Sequence, residues 1–361
     1  MMKSDIEKLI RPEVAKIDIY QGEHGNGDYR IDLSGNESPY DLPRDIKEEI
    51  THEIMENPLN NYPTLYTKSL RCSIADYLDI EVNCDQVIVG NGSDDVLDML
   101  IDTFIEPGDR VLAAAPTFSM YRFFSELAGG IYENFSLADQ EFNYDNIKEM
   151  IDRIKPKIIF LCSPNNPTGE LLAPETILKI AEVYEGILVI DEAYAEFSKA
   201  TLLDHINEYT NLAVTRTFSK AFGLAGIRLG YLVGSRELVR QVSKVIKPYN
   251  INSITSLIGK IALREEKLIE ERVDNIVKER DKMFALFNEY DNWSVFPTSA
   301  NFVYIEGKDT VKFKNMLNKQ GIKIRSFDRK PPAIRITVGK PTENEVVAKI
   351  FKQFKEESGY E

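Results

Sequence analysis

The sequence predicts an α/β protein with a large, mostly parallel sheet flanked by helices and a smaller C-terminal α+β domain. Between about residues 86 and 234, short runs rich in Val, Ile and Leu alternate with amphipathic stretches. This alternation is typical of a sheet that is buried on both faces. From about residue 247, a long charged helical tract replaces the alternation and is followed by isolated strands. The length of 361 residues also favours more than one domain.

Apolar runs predict the individual strands of the large sheet, in chain order 86–90, 110–115, 157–163, 186–194, 212–219 and 229–234. Residues 176–185 have apolar side chains at helical spacing, which predicts a helix between two of these strands. In the C-terminal part, residues 301–307 and 333–339 predict strands. We therefore expect an N-terminal arm (1–40), a large domain (41–250) and a small domain (251–361).

Composition limits the classes of function. The formal net charge of −14 repels nucleic acid and anionic membrane surfaces, so an anionic ligand needs a local cationic cluster. The three cysteines and three histidines have no metal-site spacing. No apolar run approaches the length of a membrane span or a signal segment. We expect a reduced, cytoplasmic protein without a metal and without a membrane or nucleic-acid partner.

Polar side chains follow the predicted strands where the strands end. Asn166, Asp191 and Lys220 each come after a different apolar run, and the sequence GNGSDD (residues 90–95) leads from another run into a helix. Each feature alone fits an ordinary turn or helix cap. Because the carboxyl ends of parallel strands meet at one edge of a sheet, all of them together predict a binding site there. Arg228, eight residues after Lys220, adds a second cation to a mostly apolar segment.

Three motifs in this order, SPNNPTG (163–169), DEAY (191–194) and FSKAFGLAGIRLGY (218–231), resemble the fold type I pyridoxal-phosphate enzymes of the class I and II aminotransferase family. The resemblance extends from about residue 33 to 339. More narrowly, DEAYAEF, RTFSKAFGLAG, LSGNESPY and IRITVG look like the histidinol-phosphate aminotransferases. Ser38 and Phe118 are mild departures, since that family often has asparagine and tyrosine there.

The resemblance implies roles for the residues around the cofactor ring. Lys220 would hold pyridoxal 5′-phosphate as a Schiff base and move the proton. Asp191 would face the pyridine nitrogen, while Asn166 and Tyr194 would hydrogen-bond the 3-oxygen and Phe118 would stack on the ring.

The resemblance also implies which residues bind the phosphate and the substrate. The cofactor phosphate would be held by Thr217, Ser219, Arg228, the turn at Gly92, Ser93 and Asp94, and Tyr62 of the other subunit of a homodimer. The substrate would be bound by Tyr20, Asn36, Arg325 and Arg335, with Arg335 as the shared anchor for phosphate and carboxylate.

The implied reaction converts L-histidinol phosphate and 2-oxoglutarate to imidazole acetol phosphate and L-glutamate with ping-pong kinetics. An aromatic or general amino acid aminotransferase and a threonine-phosphate decarboxylase remain alternatives, since similar sites serve different reactions within one fold. A nicotinamide dehydrogenase is excluded because no GxGxxG follows a strand. A ligand-sensing DNA-binding regulator is disfavoured because the chain shows no basic patch and no additional N-terminal winged helix.

Overall fold

The computed structural model describes residues 6–19, 29–137 and 142–359. The helices, in chain order α1 to α12, are Arg44–Glu56, Lys68–Leu78, Ser93–Phe104, Met120–Leu127, Tyr144–Ile154, Pro174–Val183, Ala195–Ser198, Arg236–Val242, Ser253–Ala262, Glu266–Phe287, Thr310–Lys319 and Pro341–Glu357. The strands, in chain order β1 to β12, are Ile31–Leu33, Val87–Gly90, Arg110–Ala115, Ile131–Ser136, Ile158–Cys162, Ile187–Asp191, Leu212–Thr217, Gly230–Gly234, Ser294–Val295, Phe302–Glu306, Ile322–Phe327 and Ala333–Thr337.

The larger sheet has the strand order β2-β8-β7-β6-β5-β3-β4. Its strands run parallel except β8, which is antiparallel to both neighbours. The six strands predicted for this sheet are confirmed, and β5 and β8 are buried along their whole length. The prediction missed β4, because this edge strand is half exposed and carries polar residues such as Glu133 and Asn134.

The smaller sheet joins both ends of the chain. Its strand order is β1-β11-β12-β10-β9, and β1 pairs in parallel with β11. Strand β1 comes from the segment expected to be an arm, so the residues that follow it, 34–37, lie beside the strand ends of the larger sheet. We propose that the two sheets belong to a large and a small domain.

The charged tract after residue 247 forms two helices rather than one. Helix α9 ends at Ala262 and α10 begins at Glu266. Helix α9 packs on α1 and α2, whereas α10 packs on α12 and β10. The break therefore lets one tract cover two different parts of the core.

The expectation of three reduced cysteines is wrong for this structure. Cys72 and Cys84 form a disulfide, with their Cα atoms 4.5 Å apart, and only Cys162 is free and buried. The pairing was not visible in the sequence because it depends on the packing of α2 against the short turn at Cys84–Gln86. Among the described residues, none of the helices is long and apolar enough to cross a bilayer.

Candidate active site

A cavity of about 750 Å³ lies where the carboxyl ends of β5, β6 and β7 meet residues of the smaller sheet. It brings together most of the residues predicted from the sequence. These cavity-lining residues are Asn36, Ser93, Asp94, Phe118, Asn166, Asp191, Tyr194, Thr217, Ser219, Lys220, Arg228, Arg325 and Arg335. Residues that are up to about 300 positions apart in the chain thus share one cavity, as the strand-end argument predicts.

Lys220 stands in the centre of this set. Its Nζ donates a hydrogen bond to the carbonyl oxygen of Gly35 at 2.9 Å and lies 5.9 Å from the centre of the Tyr194 ring. Burial, together with the positive charges of Arg335 and Arg228, lowers the pKa of Lys220 to about 8. A useful fraction of this lysine is therefore a neutral amine near neutral pH, which is the form that attacks a carbonyl or accepts a proton.

Asp191 ends β6 at the bottom of the cavity and is 3% exposed. Its Oδ2 accepts a hydrogen bond from the Tyr121 hydroxyl at 2.6 Å, and its Oδ1 accepts one from the backbone N–H of Ala193. Burial raises the pKa of Asp191 to about 6, against the opposing effect of these hydrogen bonds. Within the described part of the chain, no lysine or arginine forms an ion pair with Asp191. A buried carboxylate without a cation fits a ligand that brings a positively charged N–H.

The polar groups on the other side of the cavity are oriented by a hydrogen-bond chain. Arg335 donates to Oδ1 of Asn166 and, at 2.6 Å, to the carbonyl oxygen of Ser34. Because Oδ1 of Asn166 is used as an acceptor, its amide N–H groups are the part that remains for a ligand. Asn36 donates to the Tyr194 hydroxyl at 2.9 Å, which leaves the Tyr194 hydroxyl proton to donate. Both groups therefore offer donors to a ligand oxygen.

The opposite end of the cavity has the shape of an anion site. The Ser219 and Thr217 hydroxyls lie 3.0 Å apart, and Nη1 of Arg228 lies 3.5 Å from the Ser219 oxygen. Gly92, with φ of +88°, precedes α3, and a Cβ added there would be 2.5 Å from Nη2 of Arg228. A side chain at position 92 would displace Arg228 from its place near the N-terminus of α3, so only glycine fits there. The donors present fit the phosphate expected here.

Arg228 also forms an ion pair with Asp94 at 3.3 Å. Burial raises the pKa of Asp94 against the opposing charge of Arg228. A bound phosphate would share Arg228 with this carboxylate, because both anions lie beside the same guanidinium.

Two arginines face the cavity from neighbouring strands. Arg325 on β11 and Arg335 on β12 are directly opposite each other in the antiparallel register. Like charges in this position destabilise a sheet, and an anion that bound between them would offset the repulsion. Arg335 is 7% exposed and also lies over the Phe302 ring at 5.3 Å.

Two predicted residues are not part of this cavity, and one cannot be placed. Tyr62 is 81% exposed and stacks on Tyr249, with ring centres 4.6 Å apart. Tyr62 is therefore a surface residue and not part of the core of its own chain. Gly92 does not line the cavity, although it shapes the position of Arg228. Tyr20 lies outside the described residues.

Sequence reasoning missed several residues at this site, including Tyr121, Cys162 and Lys323. Tyr121 holds Asp191 and is itself stacked on Phe160, with ring centres 4.8 Å apart. Its position three residues after Phe118 on a helical pattern was the available signal. Cys162 and Lys323 also line the cavity. Lys323 shares the period of two with Arg325 along β11, which places both side chains on one face.

Comparisons with known proteins place the chain in a family. Residues 29–351 match the family model of the class I and II aminotransferases. The chain is 36% identical over 350 residues to a histidinol-phosphate aminotransferase of Ruminiclostridium cellulolyticum, covering 95% of this chain and 97% of that protein. It is also 36% identical over 350 residues to one of Pyrococcus furiosus, covering 97% and 99%.

Solved structures share the fold. The crystal structure of a histidinol-phosphate aminotransferase from Sinorhizobium meliloti in complex with pyridoxal-5′-phosphate has a TM-score of 0.85 at 20% identity, with 96% of this chain and 98% of that chain covered. An L-threonine-O-3-phosphate decarboxylase from Porphyromonas gingivalis has a TM-score of 0.78 at 21% identity, with 90% and 99% covered.

Proposed function

Because the chain belongs to the class I and II aminotransferase family, we propose that it transfers the amino group of L-histidinol phosphate to 2-oxoglutarate, a step of histidine biosynthesis. It is a transaminase that uses pyridoxal 5′-phosphate, an amine and a 2-oxo acid. One observation carries the choice of substrate. Arg325 and Arg335 face each other at the cavity, where one substrate would bring a phosphate and the other a carboxylate.

The residues present fit the cofactor. Arg228, Ser219 and Thr217 would hold its phosphate, Asp191 would hold its protonated ring nitrogen, and Lys220 would hold it covalently. When bound, pyridoxal phosphate supplies an electron sink that acidifies the hydrogen on the amine-bearing carbon of the substrate.

Lys220 performs the proton transfer in this proposal. Its lowered pKa makes the neutral amine available to accept the proton from the amine-bearing carbon. After this transfer the lysine is a cation and can donate the proton again. Nζ of Lys220 donates a hydrogen bond to the carbonyl oxygen of Gly35, which fixes the position of the amine within the cavity.

Asp191, Tyr194 and Asn166 keep the ring oriented. Asp191 and Tyr194 are each about 3% exposed, so water does not compete strongly for their hydrogen bonds. Burial raises the pKa of Tyr194, against the charge of Arg335, so its hydroxyl keeps the proton that it would donate. Preorganised groups of this kind lower the cost of charge redistribution during the reaction.

We expect the two arginines to contribute differently to substrate binding. Arg335→Ala should impair both half-reactions, whereas Arg325→Ala should penalise histidinol phosphate more than glutamate. Each lost charged contact should lower kcat/KM by roughly 10- to 100-fold. Single-turnover measurements of the two half-reactions, followed by the absorbance of the cofactor, separate these effects.

Arg329→Ala is the matched control, because Arg329 pairs with Glu306 at 2.8 Å and does not line the cavity. Equal turnover of histidinol and histidinol phosphate would contradict the substrate proposal. Faster turnover of tyrosine would favour an aromatic aminotransferase, and release of carbon dioxide from threonine phosphate would favour a decarboxylase. An unchanged glutamate half-reaction in Arg335→Ala would contradict the role of Arg335.

We also propose that the enzyme is a homodimer in which Tyr62 reaches the cofactor phosphate of the other subunit. The segment around Tyr62 is rich in exposed large apolar side chains, which is typical of a surface that another protein covers. These exposed residues are Met55, Leu59, Tyr62, Leu65, Tyr66 and Tyr249. Monomeric proteins seldom leave such side chains together in water.

Hybrid dimers test the shared site. Dimers assembled from Lys220→Ala and Tyr62→Phe chains should contain one native site, made from Lys220 of one chain and Tyr62 of the other. Their activity should therefore exceed the average of the two parental dimers, measured on purified hybrids carrying two different tags. Tyr62→Phe chains reassembled with each other are the control. Hybrid activity no higher than the parental average would count against sharing.

The cytoplasmic location expected from the sequence stays a prediction.

A further inference from the structure

Lys323 is a buried cation on the cavity wall that the roles described so far do not use. It lies on β11 and is 8% exposed. Lys323, Arg325 and Phe327 alternate along the strand and all line the same cavity. Burying an ammonium group is costly unless a partner compensates it. The partner of Lys323 among the described residues therefore shows how well its charge is compensated.

That partner is a weak one. Nζ of Lys323 lies 3.6 Å from Oδ2 of Asp32, whose side chain is half exposed, and the two residues are opposite each other in the β1–β11 register. Asp32 is already engaged through Oδ1, which accepts hydrogen bonds from the backbone N–H and the hydroxyl of Ser34. The Tyr29 ring lies 5.9 Å from Nζ. Within the described residues, no hydrogen bond satisfies the three donors of this ammonium group.

We propose that Lys323 binds the phosphate of the substrate together with Arg325 and thereby selects a phosphate monoester over a carboxylate. This inference rests on the proposed function and names a further residue for its specificity. A phosphate monoester carries a charge of about −1.5 to −2 at pH 7 and three acceptor oxygens, more than one guanidinium can satisfy. Each carboxylate carries a single charge and two acceptor oxygens, which one guanidinium can satisfy.

The test uses inorganic phosphate as a competitor of the glutamate half-reaction in the loaded enzyme. Lys323→Met should raise the inhibition constant of phosphate by roughly 10- to 100-fold, a larger factor than the one by which it changes kcat/KM for glutamate. Lys323→Arg should restore most of the inhibition. Asp32→Asn should leave phosphate inhibition unchanged or strengthen it, because it removes the carboxylate that competes for the lysine.

A purely structural ion pair gives a different pattern. Lys323→Met and Asp32→Asn would then have the same effects, with both lowering the melting temperature and neither changing phosphate inhibition selectively. That result would overturn the proposal. The test is independent of the natural substrate, since a wild-type enzyme that fails to convert histidinol phosphate refutes the proposed function, whereas the phosphate competition still decides the role of Lys323.

Discussion

Replacing Lys220 with alanine should reduce transamination by several orders of magnitude, the largest loss that we expect from any single substitution. The variant loses the amine that attacks the cofactor and the group that moves the proton, and proton transfer alone contributes roughly 10²- to 10⁴-fold. Arg228, Ser219 and Asp191 are unchanged in it, so the variant should still bind the cofactor without a covalent link. Single-turnover rates and equilibrium binding of the cofactor measure the two properties separately.

Two further results would identify Lys220 as the attachment point. Borohydride reduction of the loaded enzyme and peptide mass mapping should place the cofactor on the peptide that contains Lys220. Lys199→Ala is the control, since the Lys199 side chain is 81% exposed and lies outside the cavity. A label on another lysine would refute the assignment.

The lowered pKa of Lys220 can be measured without the cofactor. With a pKa of about 8, roughly 10% of Lys220 is neutral at pH 7, compared with about 0.03% of an ordinary lysine. Modification of Lys220 by an amine-specific reagent should therefore increase with pH and reach half its maximal rate near pH 8. Arg335→Ala removes a charge that lowers this pKa, so its midpoint should be higher. A wild-type midpoint near 10.5 would contradict the prediction.

Asp191→Asn should lower the rate of the loaded enzyme by about three orders of magnitude. An ion pair at about 4 Å is worth about 4 kcal/mol at an effective dielectric constant of 20, and the neutral amide cannot hold a protonated ring nitrogen in this way. Tyr121→Phe is the matched control, because it removes the hydrogen bond to Oδ2 and keeps the charge. The control should lose much less activity. Equal losses in both variants would argue against a role for the charge.

The same substitution should stabilise the protein without its cofactor. The pKa of Asp191 is raised in the folded state, so its carboxyl favours folding at low pH, and this contribution is lost as the pH rises from about 4 through 6. Asp191→Asn does not ionise and should therefore have a higher melting temperature than the wild type at pH 8. The difference should vanish below about pH 4. A lower melting temperature at pH 8 would contradict the pKa shift.

The parts of the site that could be predicted from sequence are those carried by local patterns. A buried parallel strand followed by a polar residue can be predicted from the sequence, because continuous apolar runs indicate buried strands and certain residue types indicate turns. This is why the positions of Asn166, Asp191 and Lys220 at strand ends were predicted correctly. The edge strand β4 was missed for the same reason, since its half-exposed surface carries no continuous apolar run.

Local patterns in the chain are enough to predict the α/β class, the strands of the larger sheet and the resemblance that names the cofactor, because each depends on the order of neighbouring residues. Which distant residues meet depends instead on how the strands and helices pack. The Tyr121–Asp191 hydrogen bond, the Cys72–Cys84 disulfide and the opposition of Arg325 and Arg335 depend on packing and strand register. The environment of Lys323 also depends on the fold, because its burial and its weak contact with Asp32 arise when β1 pairs with β11. Such contacts depend on the burial of side chains and the pairing of strands over the whole chain, which local sequence patterns do not predict.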